Sequence, residues 1–478
     1  MLTMLGTQRR CCDGLTRRES LRAGTLSALG GLSLPALLRA EEARAAGAVG
    51  SGPAKSVIVL YLLGGAATQD MYDMKPDAPS DIRGEFQPIA SSAPGLDVCE
   101  HLPQMAKWMH RAAVVRTVHH KGGCHNPLPS YTGDETIPDT LLLPKSSQPP
   151  SMGAVCEYLN GGRVDNPAYV YMPCYLGWGQ SIKRPGPYAG FLGAKYDGLY
   201  TECAPYVDNP PDLPYRGQPL RGMPVIPLAK LGGDMTVDRL DARRTLLSQL
   251  DAERYRRDEA GSLGSFNRQE QRAWSILTSS RVREAFDLDK VDPKVKDRYT
   301  PTLFGHSTLI ANRLVDAGVR FVNVTWDSFW ERLQLQYDCW DTHNVNHAYL
   351  KKYLLPYLDA PFGALMEDLD RTGRLDETLV VIMSEMGRTP RINANAGRDH
   401  WPFCYSVMLA GAGIRGGSVY GKSDAQAAYP QDKPASPADI VATIYHCLGI
   451  DPEMLVSDQV GRPQPVARGG TPIWEILA

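Results

Sequence analysis

Apolar runs and amphipathic stretches alternate along most of this sequence. Continuous runs rich in β-branched residues and Leu predict strands, whereas apolar residues spaced three and four apart predict helices. The strand-like runs lie at 55–65, 112–118, 167–174, 320–326, 378–384 and 405–413. The helix-like stretches lie at 102–111, 151–159, 303–318, 346–373 and 436–449. Strands without polar alternation, separated by helices, predict an α/β fold with a doubly wound, mostly parallel central sheet flanked by helices.

Helix boundaries are marked by residues that commonly begin or end helices. Gly318 and Gly373 follow helix-like stretches and fit C-terminal caps, while Ser436 and Pro437 fit the start of the closing helix. Pro356 predicts a bend in the long helix before it reaches Gly373. These signals support the alternation of strands and helices.

Residues 55–478 are predicted to form a single domain with one long insertion. From about 176 to 235 the sequence is rich in Gly, Pro and Tyr and has no sustained period. Charged residues with Leu on one helical face follow at 236–295, which indicates solvated helices packed on the core. Long loops in compact domains are usually functional or disordered, and the aromatic residues here favour an ordered segment. We therefore expect 176–300 to be an insertion or lid that lies over the site.

The N-terminus has the zones of a secretory signal, with the signal peptide and its cleavage region at 1–48. A basic string, TRRESLR at 16–22, precedes a mildly apolar run at 23–38. The paired arginines indicate export by the twin-arginine machinery, with cleavage expected between Ala45 and Ala48. The predicted destination is the periplasm or another extracytoplasmic space. An amphipathic N-terminal helix is the alternative interpretation.

Composition limits the classes of partner. The formal net charge of -2 and the pI near 6.6 give no reason to expect nucleic acid or an anionic membrane as a partner. After the leader no apolar run approaches the roughly 20 residues of a membrane helix, so we expect a soluble mature protein without stable membrane insertion. No C-x-x-C pair supports a zinc knuckle. Cys156, Cys404 and Cys447 lie in apolar surroundings typical of buried thiols.

The turn after the first predicted strand carries two candidate metal carboxylates. Gly64 and Gly65 allow a tight turn and close approach to a ligand. Asp70 and Asp73 follow them, and one of the two is predicted to bind a metal ion. Capping of the next turn by these aspartates is the alternative.

The loop at 118–134 follows the second predicted strand and is dense in His, Gly and Pro. Cys124 and Ser130 are candidate nucleophiles, and His125 is a candidate metal ligand. The alternative is a solvated loop whose histidines bond only to the backbone. We favour this alternative for His119 and His120.

Three short strings in the last third bring together the residue types that divalent metals bind. They are WDTH, SEMGRTP and GRDHW, and they supply Asp341, His343, Glu385, Asp399 and His400. Carboxylate oxygen and imidazole nitrogen suit zinc, calcium, manganese or magnesium to different degrees. Each string follows a strand-like run, where open α/β sheets commonly carry their chemistry.

The SEMGRTP string also offers Arg388 as a possible clamp for an anionic oxygen. An ion pair between Glu385 and Arg388 that orders the loop is the other interpretation of the same string. Trp401 could form a wall of the site.

These motifs together resemble the exported bacterial family called the domain of unknown function 1501, within the alkaline phosphatase-like, or sulfatase-like, superfamily. The resemblance rests on the leader, GG…D…D-x-K-P at 64–76, AGFLGAKYD at 189–197, WDTH, and the long run from 375 to 450. It implies a mixed sheet flanked by helices, with a metal-centred site at the strand C-termini. Enzymes of the superfamily cleave phosphate or sulfate esters.

The resemblance also implies roles for individual positions. Asp70 or Asp73 would match the first-strand carboxylate, and the segment 124–132 would match the nucleophile loop. Asp341 and His343 would match the ligands of one metal. Glu385 would match the carboxylate of the superfamily's usual Asp-His pair, and His400 would match its late histidine. Two strings depart from the superfamily pattern: Met386 stands where a histidine is usual, and CHNPLPS lacks the C-x-P-S-x-R motif of sulfatases.

The sequence therefore favours an exported, metal-dependent hydrolase of phosphate or sulfate esters, with a small-molecule or glycan ester as substrate. The metal would polarise the ester oxygen and lower the pKa of the attacking group. A non-catalytic metal- or ligand-binding protein that retains the fold is the competing hypothesis.

Overall fold

The computed structural model describes residues 50–122, 125–136, 144–160, 167–178, 182–205, 220–226, 280–327 and 339–478. Residues Ser51–Ala478 form one compact unit. The predicted leader at 1–48 and most of the predicted lid at 176–300 lie outside the described residues. None of the described helices is long and apolar enough to cross a membrane.

The described residues form a central sheet of eight strands. In chain order these are β1 Ser56–Leu62, β2 Ala112–Val118, β3 Tyr169–Met172, β4 Leu199–Tyr200, β5 Phe321–Trp326, β6 Thr378–Met383, β7 Tyr405–Gly411 and β8 Ser418–Tyr420. Across the sheet they run in the order β8-β2-β7-β6-β1-β5-β3-β4. Only β7 pairs antiparallel with both neighbours, and the other neighbouring pairs are parallel. The predicted α/β class with a mostly parallel central sheet is confirmed.

The described helices flank this sheet. They are α1 Ser80–Arg83, α2 Pro103–Ala106, α3 Leu128–Thr132, α4 Met152–Leu159, α5 Ser280–Phe286, α6 Pro293–Arg298, α7 Leu303–Asp316, α8 Asn346–Tyr349, α9 Leu355–Arg371 and α10 Pro437–Cys447. Every residue of β1 and β6 is buried, so both faces of the sheet centre are covered. This explains why those strands read as unbroken apolar runs.

Short antiparallel pairs lie around the sheet in the described parts of the chain. They join Pro88–Ile89 with Val98–Cys99, Glu202–Pro205 with Gly222–Val225, Gly387–Arg388 with His400–Trp401, Lys422–Ser423 with Pro430–Asp432, and Leu455–Ser457 with Pro463–Pro465. The third pair matters most for the site, because it carries two of the strings singled out in the sequence.

Several predicted boundaries move once packing is taken into account. The stretch predicted as one helix at 346–373 is α8, then a π-helical turn at Leu350–Leu354, then α9. Only Pro103–Ala106 and a short 3₁₀ turn at Met109–Arg111 are helical within 102–111. Ser436 begins α10 with a reciprocal capping box, as its sequence position predicts.

The described cysteines are all buried, and none of them forms a disulfide bond. Burial raises the pKa of the Cys156, Cys404 and Cys447 thiols to about 12. These three residues are therefore buried free thiols, as their apolar surroundings in the sequence predict.

Candidate metal centre

The candidate centre lies where β1, β5 and β6 end. These strands are parallel, so their carboxyl ends meet at one edge of the sheet. Glu385 follows β6 by two positions, and Gly64 follows β1 by two positions. The backbone N–H of Trp340 donates to the carbonyl of Leu63 at 3.0 Å, which seats the WDTH string against the end of β1.

Glycine is required where these segments meet. Gly64 has a φ of +117°, and a Cβ atom there would lie 2.5 Å from the backbone nitrogen of Asp341. A Cβ atom at Gly397 would lie 1.8 Å from the carbonyl oxygen of His343. A side chain at either position would overlap these backbone atoms. Both glycines therefore permit the close approach of the ligand-bearing loops.

Three side chains come together as a possible metal site: His125, Asp341 and His400. One potential ligand atom from each lies within 4.8 Å of the others. His125 Nε2 is 3.3 Å from Asp341 Oδ2, and His400 Nε2 is 3.1 Å from Asp341 Oδ1. All three side chains are partly accessible, so a ligand could reach the cluster from solvent.

His343 and Asp399 extend this cluster toward solvent. His343 Nε2 lies 3.0 Å from Asp341 Oδ1 and 3.0 Å from His400 Nε2. Its Nδ1 atom lies 2.8 Å from Asp399 Oδ1. When Asp399 accepts the Nδ1–H, the Nε2 lone pair faces the cluster, which is the tautomer a metal ligand needs.

Glu385 lies behind His125 instead of facing the centre of the cluster. Its Oε1 atom is 3.0 Å from His125 Nδ1 and accepts the backbone N–H of Gly64 at 2.8 Å. Its Oε2 atom lies 3.1 Å from the hydroxyl of Ser384, whose single proton has a closer acceptor in the carbonyl of Leu62 at 2.6 Å. Oε1 therefore already has two protein donors, and the geometry is that of a carboxylate that orients a metal-binding histidine.

The electrostatics match this arrangement. Burial alone would raise the pKa of Asp341, but hydrogen bonds from the surrounding imidazoles and the charge of Arg388 hold it well below its usual value. Burial alone would lower the pKa of His125, yet hydrogen bonds to Asp341 and Glu385 raise it to about 9. Burial lowers the pKa of His400 despite its bond to Asp341. The described protein atoms therefore keep Asp341 as a carboxylate.

Asp70 and Asp73 are not brought to the cluster. Asp70 is buried and accepts two hydrogen bonds from Arg398, at 2.8 and 2.7 Å, and one from Asn346 at 2.8 Å. Asp73 pairs with Lys75 at 3.0 Å and accepts the hydroxyl of Ser423. Because both carboxylates pair with residues outside the cluster, the structure supports neither aspartate as a metal ligand.

Of the two candidate nucleophiles, Ser130 lies within the described residues. Ser130 is buried in α3, where its hydroxyl donates to the carbonyl of Pro127 at 2.9 Å and lies 2.8 Å from the hydroxyl of Tyr61. These contacts do not reach His125, Asp341 or His400, and the side chain is buried, so the structure gives Ser130 no access to a substrate there. Cys124 lies outside the described residues.

Arg388 is fully buried, and its guanidinium donates to the carbonyls of Gly65 at 2.7 Å and Arg398 at 3.1 Å, to the carbonyl of Gly64 and to Asp341. It does not pair with Glu385 in these contacts. Because the guanidinium has no accessible surface, the structure does not support Arg388 as a clamp for an anionic substrate.

One supporting residue was not singled out in the sequence. Asn393 donates to the carbonyl of His343 at 3.0 Å and to Asp399 Oδ1 at 3.2 Å, and the NAN string beside GRDHW was the available signal for it. His120 Nε2 lies 2.7 Å from the backbone carbonyl of Glu385, which agrees with the backbone bonding expected for this histidine. Trp401, which could form a wall of the site, follows His400 in the hairpin; its indole N–H donates to the carbonyl of Ala428 at 2.7 Å and its ring packs on Phe403 and Tyr429.

The residues present fit a divalent metal ion. Two imidazoles and one carboxylate, with partial access from solvent, match the set of three protein ligands and an open position found in catalytic zinc sites. Glu385, which bonds to the outer nitrogen of the ligand His125, is the usual second layer of such a site. Imidazole ligands favour zinc and similar transition metals over calcium or magnesium.

Solved structures provide distant similarities. The chain resembles the protein named Ps i-CgsB with 10% identity, covering 89% of this chain and 76% of that chain, at a TM-score of 0.42. It resembles the PsFucS1 sulfatase from Pseudoalteromonas sp. with 12% identity, covering 87% and 72%, at a TM-score of 0.36. It resembles the phosphonate monoester hydrolase SpPMH from Silicibacter pomeroyi with 10% identity, covering 87% and 75%, at a TM-score of 0.35. At these identities and scores the similarities assign no role to any residue.

Comparison with curated protein sequences gave no match. Residues 54–477, nearly the whole compact unit, match the family described as "Protein of unknown function (DUF1501)". The motifs that carried the resemblance in the sequence lie within this range, apart from the leader. The chain belongs to that family.

Proposed function

We propose that this chain is an exported hydrolase of phosphate or sulfate esters that uses one divalent metal ion held by His125, Asp341 and His400. The observation that carries the proposal is the convergence of these three side chains, with ligand atoms within 4.8 Å of one another, at the carboxyl edge of a mostly parallel sheet. That edge is where open α/β folds bind their ligands. Zinc fits the donor set best.

When bound, such an ion would polarise an ester oxygen and lower the pKa of an attacking water. The chain's own residues would prepare the site. Glu385 would hold the Nδ1–H of His125, so that this ligand presents Nε2 to the metal. Asp399 would hold the Nδ1–H of His343, which lies beside the ligand His400 without being one of the three ligands. Because Ser130 is buried against Tyr61, we propose water as the nucleophile, in place of a side-chain hydroxyl.

The second candidate is a metal-binding protein without turnover. The observation in its favour is that Ser130 donates its proton to a backbone carbonyl within α3 and so has no free path to a substrate. Under this hypothesis the centre would have a structural or ligand-binding role. The two candidates share the metal and differ only in hydrolysis.

The test begins with the purified chain loaded with zinc, or with manganese in parallel. A panel of aryl phosphate, phosphodiester, phosphonate and sulfate esters would be assayed with the wild type, with His400→Ala and with Ser130→Ala. The proposal predicts hydrolysis that is lost in His400→Ala and retained in Ser130→Ala, whose hydroxyl is not placed in the reaction. Metal binding without hydrolysis of any ester would favour the second candidate. Activity that persists in His400→Ala would contradict the proposed centre.

A further inference from the structure

Two arginines ten positions apart are both fully buried in the hairpin region that carries His400. Arg388 and Arg398 have side chains with no accessible surface. Arg398 pairs with Asp70, whereas Arg388 pairs with Asp341, a member of the metal cluster. The two residues share their type, burial and local segment, but only one touches a potential metal ligand.

All three nitrogens of the Arg388 guanidinium have protein acceptors. Nε donates to Gly65 at 2.7 Å, Nη1 donates to the carbonyl of Arg398 at 3.1 Å, and Nη2 donates to the carbonyl of Gly64 and to Asp341 Oδ1. A guanidinium has five N–H donors, so four of them are used. With the side chain fully enclosed, a substrate anion cannot reach the remaining one.

These bonds join three separate segments of the centre. The carbonyls of Gly64 and Gly65 belong to the turn after β1, Asp341 belongs to WDTH, and the carbonyl of Arg398 lies two positions before His400. Gln69 fixes the backbone of Arg388 from the other side, since its amide donates to that carbonyl at 2.8 Å. Arg388 thus lies where a change in its side chain would move the ligand-bearing loops relative to one another.

The geometry points to Arg388 as a positioning residue of the metal centre, one that fixes the orientation of the Asp341 carboxylate without contacting the substrate. This inference rests on the proposed metal site. The planar guanidinium can hold the carboxylate and two backbone carbonyls at the same time, whereas an ammonium group offers a single point of charge. Lysine should therefore keep the charge at this position but lose the orientation.

Charge gives a second reason for an arginine at this place. Asp341 belongs to the cluster, Glu385 lies behind it, and His125 bridges the two carboxylates. Arg388 supplies a permanent positive charge beside Asp341, which offsets the repulsion between the two carboxylates when no metal is bound. The chain would then keep the two carboxylates close together before any metal binds.

The experiment measures zinc affinity by competition with a chromogenic chelator in the full-length mature chain. Four variants form two matched pairs: Arg388→Lys and Arg388→Met, with Arg398→Lys and Arg398→Met as controls. Thermal unfolding in metal-free buffer gives the purely structural cost of each change. We expect both arginines to matter for stability, because each leaves buried carbonyls without a donor when it is replaced.

The inference predicts that Arg388→Lys weakens zinc binding by about tenfold to a hundredfold, as loss of an orienting partner commonly does. Arg398→Lys should bind zinc with nearly the affinity of the wild type, even if its unfolding temperature falls as far as that of Arg388→Lys. If the Met variants fail to fold, the Lys pair alone decides. A double-mutant cycle between Arg388→Lys and Asp341→Asn should also show coupling in metal-free unfolding.

Equal losses of affinity in the Arg388 and Arg398 pairs would overturn the inference, because both residues would then act only through the fold. Unchanged affinity in Arg388→Lys would overturn it as well. If the wild type binds neither zinc nor manganese, the proposed function fails first and the inference falls with it. The wild-type titration therefore separates the two failures.

Discussion

The Nδ1 atom of His125 lies 3.0 Å from Oε1 of Glu385, while the Nε2 atom of the same ring lies 3.3 Å from the Asp341 carboxylate. One imidazole thus connects a buried carboxylate to the open cluster. Glu385 directs the ring, and Asp341 shares the space into which its other nitrogen points. This relationship separates residues that would bind a metal from residues that would orient the ligands.

Removing the charge of Glu385 should weaken metal binding without abolishing it. In Glu385→Gln the amide oxygen could still accept the Nδ1–H of His125, but the ring would lose its charged partner. We expect zinc affinity to fall by about tenfold to a hundredfold, in contrast to a nearly complete loss in His400→Ala. Chelator competition measures both. A loss in Glu385→Gln as complete as in His400→Ala would instead make Glu385 a direct ligand.

The Asp70–Arg398 pair should make stability depend on pH in the acid range. Burial alone would raise the pKa of Asp70, but Arg398 and His347 lower it to about 2, below the unfolded value of about 3.9. A lowered folded pKa means that stabilisation is present above about pH 4 and is lost as the pH falls toward 2. The shift corresponds to roughly 2 to 3 kcal/mol.

The measurement is the difference in unfolding free energy between the wild type and Asp70→Asn, at about pH 6 and about pH 3. The difference should be larger at the higher pH. The same difference at both values would show that ionisation of Asp70 does not stabilise the fold. Metal-free protein should be used, so that the acid sensitivity of the metal centre does not enter the comparison.

A methyl group at Gly64 should disrupt the centre sterically. The added Cβ would lie 2.5 Å from the backbone nitrogen of Asp341, at a φ of +117°. Gly95 is a matched control, because it also has a positive φ of +82° but has nothing within 4 Å of an added Cβ. Gly64→Ala should cost at least about 2 kcal/mol of stability and lower the bound metal. Gly95→Ala should cost about 1 kcal/mol and leave the metal unchanged.

Thermal unfolding and elemental analysis of the two glycine variants would check this. Equal effects of both substitutions would mean that position 64 requires glycine only for its positive φ, and not because WDTH approaches the end of β1.

We predict that the chain is exported by the twin-arginine route and that Arg17 and Arg18 direct it there. Replacing both with Lys should leave the full-length precursor in the cytoplasm, because the machinery reads the arginine pair and not charge alone. Cell fractionation with detection of the precursor and mature forms measures this. Normal processing of the Lys variant would count against this route, and a variant with a conservative change in the apolar run would serve as the control.

The fold and much of the convergence of the site follow from local features of the sequence. Unbroken apolar runs such as Ser56–Leu62 and Thr378–Met383 predict central parallel strands, and parallel strands place their following loops at one edge. That reasoning places the loops after β2, β5 and β6, which carry His125, Asp341 and Glu385, at one edge. His400 precedes β7, which runs antiparallel to both neighbours, so its place at the same edge depends on a strand direction that the apolar pattern does not predict.

The division of roles within the site could not be predicted in the same way. Asp70 pairs with Arg398, 328 positions later, and Glu385 accepts the N–H of Gly64, 321 positions earlier. A spacing pattern contains no information on such contacts. An acidic residue after a strand is equally compatible with binding a metal, orienting a ligand or pairing with an arginine, and only packing separates these outcomes.

The most direct test of the account is metal stoichiometry. The mature chain, purified without chelator and dialysed against trace zinc, would be analysed by elemental mass spectrometry beside His125→Ala, His400→Ala and Asp73→Asn. Asp73 is an acidic residue near the first strand that pairs with Lys75 outside the cluster. The account predicts one divalent ion per chain in the wild type and in Asp73→Asn, and its near-complete loss in both histidine variants. Wild-type protein without metal, or unchanged metal content in His125→Ala and His400→Ala, would contradict it.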